Sequence, residues 1–103
     1  MEIKKNEIYA IKLTCGQEIV AKVLEIGDDG FHLAAPLTIG QSQQGGMEFL
    51  PAMFTAEFGT EAFMHNVGIA MILPCRKDVK EAYKDSIDPK KIVTPGKKQI
   101  ITG

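Results

Sequence analysis

Residues 8–23 decide the fold: Ile8-Tyr9-Ala10-Ile11-Lys12-Leu13-Thr14-Cys15-Gly16-Gln17-Glu18-Ile19-Val20-Ala21-Lys22-Val23. Tyr9, Ile11 and Leu13 recur at every second position, and Ile19, Ala21 and Val23 resume that period after Cys15-Gly16-Gln17. A period of two places alternate side chains on one face of a strand. Gly16 can adopt the positive φ of a tight turn, so the two runs are expected to pair antiparallel as a hairpin.

C-terminal to the hairpin, the turn signal Gly27-Asp28-Asp29-Gly30 leads into a third strand with Phe31, Leu33 and Ala35 on one face. Pro36 lacks an N–H and is expected to end its regular pairing or hold it at an edge. Residues 40–46 form a polar, glycine-rich hairpin loop, and residues 47–56 form a fourth strand interrupted by Pro51. Residues 63–73 carry Val67, Ile69, Met71 and Leu73 alternating with Gly68, Ala70 and Ile72. That apolar density predicts one fifth strand buried on both faces. Beyond Arg76 the period changes: Val79, Tyr83 and Ile87, with Ala82 beside them, mark one amphipathic helix that Asp88-Pro89 terminates.

Three segments follow from this pattern: a β domain over residues 1–75, a C-terminal helix over 76–87 and a flexible basic tail over 88–103. With 103 residues, 45% hydrophobic and 24% charged, the chain has the size and composition of one soluble domain. No apolar run approaches the roughly 20 residues of a membrane-spanning helix. Cys15 and Cys75 are too few for a disulfide framework, which predicts reduced thiols and a cytoplasmic location without membrane contact. The net charge of −1 conceals an asymmetry: residues 1–75 hold four lysines against nine acidic residues, and residues 76–103 hold eight basic residues against four acidic ones. An acidic body gives no long-range attraction for phosphate, so any nucleic-acid affinity must come from local groups or from the basic end.

The spacing Ile11-x-Leu13-x-x-Gly16-x-x-Ile19-x-Ala21-x-Val23, then Asp28-x-x-Phe31-His32-Leu33, and later Met64-His65-Asn66-x-x-Ile69 resembles the two motifs of the Sm-like superfamily, which includes Sm, LSm and Hfq proteins. The resemblance covers residues 8–73, with a long insertion between the third and fourth strands, and points to a divergent bacterial- or phage-type member. It implies a mainly β fold, a strongly bent five-stranded antiparallel sheet or small open barrel with the C-terminal helix appended. It also implies a homo-oligomeric ring that binds single-stranded RNA and takes part in RNA metabolism or regulation. Carried over by position, Asp28 matches the family's aspartate, Phe31 the apolar position after the stacking residue, and His32 the asparagine that reads the base. His65 falls on the family's arginine and Asn66 on its glycine, while Gly30 occupies the place of the stacking side chain. The alternative reading is a structural or adaptor ring that assembles through its edge strands and binds protein partners without recognising RNA.

No chemistry of its own is expected. Asp28-Asp29 is a polar turn, no nucleophile stands near a base, and no spacing of Cys15, Cys75, His32 and His65 suits a metal. Neither enzyme activity nor a cofactor is therefore predicted. Met47, Met53, Met64 and Met71 fall in apolar strand patterns and are expected to fill the core or a subunit interface.

Overall fold

The computed structural model describes residues 2–41, 43, 45–53, 55–57 and 61–87. β1 (Ile8–Leu13) and β2 (Glu18–Ile26) form the expected antiparallel hairpin, with Ile11 opposite Ile19. Gly16 turns the chain at φ +97°, and the Leu13 N–H donates to the Gln17 carbonyl at 2.8 Å to close the loop.

β3 (Gly30–Gln41) runs past Pro36 instead of ending there. Val20 lies opposite Leu37 and Lys22 opposite Ala34, so Ala35 and Pro36 together face Ala21. This is a bulge, and a bulged position asks for no ladder N–H, which is why proline is accommodated in mid-strand. Ala35 takes φ +43° to make it. The extra residue also reverses the alternation: Leu33 and Leu37 have the same parity yet join different core clusters.

The bulge divides the outer edge of β3 between two partners. β4 (Met47–Pro51) pairs with the far half, placing Leu37 opposite Pro51 and Gln41 opposite Met47. It stops at Pro51 instead of continuing to residue 56. β5 (Glu61–His65) pairs with the near half, from Gly30 opposite His65 to Ala34 opposite Glu61. A 3-10 turn over Asn66–Gly68 then redirects the chain into β6 (Ile69–Pro74), which returns to pair with β1. The single strand expected over residues 63–73, buried on both faces, is thus two strands on opposite sides of the sheet. Val67 at its centre is 87% exposed, and Met71 and Leu73 are more than half exposed. Its apolar density reflects a strand at the edge of the described sheet and a turn, and periodicity alone does not separate these from a buried strand.

The described strands make one antiparallel sheet of six, not five, in the order β4-β3-β2-β1-β6, with β5 beside β4 on β3; the sheet is not closed. One face gathers Tyr9, Ile11, Ile19, Ala21, Val23 and Leu33. The other carries Ile8, Val20 and Leu37 under α1 (Lys77–Ile87), whose Val79, Tyr83 and Ile87 cover them at the spacing the sequence predicts. Each fully buried large aliphatic side chain stabilises the fold by about 1.5–3 kcal/mol. Tyr83 is wholly buried, and its hydroxyl lies 2.8 Å from the Ala34 carbonyl oxygen and 3.0 Å from that of Ala35, donating to this pair at the bulge. Burial pushes the phenol up to about 12, a backbone hydrogen bond at Lys22 opposing part of that rise.

Met64 packs against the first cluster, whereas Met53 and Met71 are 64% and 55% exposed and are not core residues. Among the described residues no helix is long and apolar enough to cross a membrane. The tail over residues 88–103 lies outside the described residues.

Candidate nucleic-acid interface

The β2–β3 turn closes on itself through the Gly27 N–H, which donates to the Gly30 carbonyl at 2.9 Å. Across from it, the β5–β6 turn begins at Asn66. The Asn66 backbone N–H donates to the Asp29 carbonyl at 2.8 Å, and its side-chain Nδ2 donates to the Asp28 carbonyl at 3.2 Å. Two turns nearly forty residues apart in sequence are therefore tied side by side. Asp28 serves this junction through its main chain and Asn66 through both its main chain and its amide, and both residues are exposed.

Gly30 leaves no room for a side chain. A Cβ there would collide with the backbone carbonyl of Met64 on β5, so the close approach of the two strands requires glycine. A ring is supplied from elsewhere. His32 lies opposite Phe63 in register, with ring centroids 5.1 Å apart at 59°, and Phe63 meets His65 edge-on at 4.8 Å and 87°. All three are exposed, Phe63 by 46%. They form a row of planar groups along the outer edge of the sheet.

The structure thus brings together four of the five residues singled out from sequence: Asp28 and Asn66 at the joined turns, His32 and His65 in the row that Phe63 bridges. Phe31 points the other way and packs against the first core cluster, as does its cross-strand neighbour Met64. Phe63 is not legible as a site residue, because the apolar density of residues 63–73 reads as one buried strand. The signal that finds it is the alternation within β5: Glu61, Phe63 and His65 outward, Ala62 and Met64 half-buried inward.

The surroundings are acidic. Residues 27–32 and 61–68 contain no lysine or arginine, and Asp28, Asp29 and Glu61 flank the row. Glu25 lies opposite His32 and is held at 3.5 Å by Lys5, an exposed pair worth about 0–1 kcal/mol. Such a site can stack flat rings and exchange hydrogen bonds with their edges. Among the described residues no group of three histidine, cysteine or acidic side chains could hold a metal ion. Compared with known proteins, the sequence matches no family model and no curated protein.

Proposed function

We propose that this chain is a divergent Sm-like subunit of bacterial or phage type, acting in the cytoplasm. Its bent β-sheet closes into a homo-oligomeric ring and binds single-stranded RNA without catalysing a reaction. The observation that carries the reading is the exposed row His32–Phe63–His65, set where the two motif-bearing turns are hydrogen-bonded together. Splayed bases stack on planar side chains with about 1–3 kcal/mol per base, and Phe63 supplies the ring that Gly30 cannot.

Ring closure is supported by the two ends of the sheet. Among the described residues β6 pairs on one side only, while β4 and β5 line the other end of the sheet, and Val67, Met71 and Leu73 lie exposed on or beside β6. An open apolar edge invites another strand, and a head-to-tail contact between unlike edges generates a closed ring when its rotation closes. Native mass spectrometry with and without a short uridine- or adenine-rich oligonucleotide tests both parts: one closed oligomer that gains the RNA is expected, and a monomer indifferent to RNA overturns the reading.

The acidic neighbourhood favours a second reading, an adaptor ring that keeps its assembly and binds protein partners without RNA. Partners retained in a pulldown after nuclease treatment, together with no oligonucleotide binding, select it.

A further inference from the structure

Where the β3 edge passes from β5 to β4, the sheet leaves a cavity of about 310 Å³ beside the row of rings. Its walls include Pro36 and Pro51, Met53 and Phe63, with Glu57 and Glu61 among the lining residues. Phe63 belongs to both the row and the cavity, so a strand of bases laid on the row has its neighbouring base at the cavity mouth. Resting on the RNA reading above, we propose that this cavity is a base-specific subsite that accepts guanine and rejects uracil.

The chemistry of the lining decides the base. Pro36 and Pro51 have no N–H, and the Ala52 N–H is already donated to the Pro36 carbonyl at 3.2 Å. Among the described residues no lysine, arginine or histidine lines the cavity, so they offer no cation to a phosphate. An ionised carboxylate only accepts hydrogen bonds, and among the described residues no cation pairs with Glu61. The Glu61 carboxylate therefore asks its ligand for donors. Guanine presents two adjacent ones, N1–H and the N2 amino group, which match the two oxygens of a carboxylate. Cytosine and adenine present one amino donor beside a ring-nitrogen acceptor. Uracil sets two carbonyl oxygens around its single N–H and would face the carboxylate with repulsion. The apolar walls and the Phe63 ring take up the flat faces of the base.

The test compares hexauridine with the same oligonucleotide carrying one central guanosine, on wild type and Glu61→Gln. The guanosine oligonucleotide is expected to bind wild type about tenfold more tightly, in the range a good paired contact discriminates. Glu61→Gln should erase that preference, with an unchanged thermal melt confirming folding. Free guanosine and free uridine, titrated while the methyl resonances of Ala52, Met53 and Ala62 are followed, form the second arm; guanosine alone should shift them. Hexauridine binding with no gain from guanosine, a preference that survives in Glu61→Gln, or unmoved methyls overturns the subsite and leaves the RNA reading standing. Methyl shifts with guanosine but no binding of either oligonucleotide uphold the subsite and remove the RNA reading.

Discussion

Tyr83 of the C-terminal helix sets its phenolic oxygen 3.0 Å from the carbonyl oxygen of Ala35, the bulge residue at φ +43°, and 2.8 Å from that of Ala34. A helix whose sequence signal is only amphipathic thereby fastens the point where β3 changes partner. The bulge matters to the site, because one side of it carries β5 with Phe63 and the other carries β4. Replacing Tyr83 by phenylalanine keeps the packing and removes the donor, leaving its two acceptors to find other partners. A loss of about 1–2 kcal/mol is expected from urea unfolding at neutral pH.

The same variant has a pH signature. The folded-state phenol lies at about 12, above its ordinary value of 10.0, so the folded protein binds the proton more tightly than the unfolded chain. That contribution is complete below pH 10 and is lost as pH rises from 10 toward 12. The stability gap between wild type and Tyr83→Phe should therefore narrow across that window in urea midpoints. A gap constant to pH 12 would contradict the burial of the hydroxyl.

Gly30→Ala should damage fold and site together. The added methyl meets the Met64 carbonyl, which is backbone and cannot swing aside, so β3 and β5 must part at Gly30 opposite His65. Overpacking of this kind costs about 1–3 kcal/mol or more. A lowered melting temperature, with amide exchange accelerated in β5 before β1 and β2, is the expected result.

Phe63→Ala should weaken oligonucleotide binding more than His32→Ala or His65→Ala. Phe63 touches both histidine rings, and its removal also breaks the row in two. A loss of about 1–3 kcal/mol per stacked base corresponds to roughly 5- to 150-fold in affinity, measurable by fluorescence anisotropy. All three residues are exposed, so the melts of these variants should stay near that of wild type.

On the ring reading proposed above, Met71→Glu combined with Leu73→Glu should leave the monomer folded and abolish assembly. Both side chains are more than half exposed on β6, at the open end of the sheet. Charges on an edge strand oppose its pairing with another chain. Light scattering should show a shift to monomer with a β-type circular dichroism spectrum retained.

The core is the part of the molecule that can be read one residue at a time. Leu33 is wholly buried in the cluster that the period-two pattern of β1 and β2 defines. Leu33→Ala should cost about 2–5 kcal/mol in chemical unfolding, since the surrounding strands can collapse only partly into the space.

The features legible in the amino-acid order are local. The period of Tyr9, Ile11, Ile19, Ala21 and Val23, the turn at Gly16 and the four-residue spacing of Val79, Tyr83 and Ile87 each express a geometry that neighbouring residues impose on one another. The joined turns are legible only in that the spacing around Asp28 and Asn66 resembles the Sm-like motifs. Tertiary structure alone decided where residues 61–74 go: half to β3, half to β1, with Asn66 hydrogen-bonded to the carbonyls of Asp28 and Asp29 between them. It alone turned Pro36 from a strand end into a bulge and brought Phe63 between His32 and His65. Such outcomes depend on which distant backbone offers its hydrogen bonds and leaves room for a ring, and an apolar run has the same pattern whether it lies in a core or along an open edge.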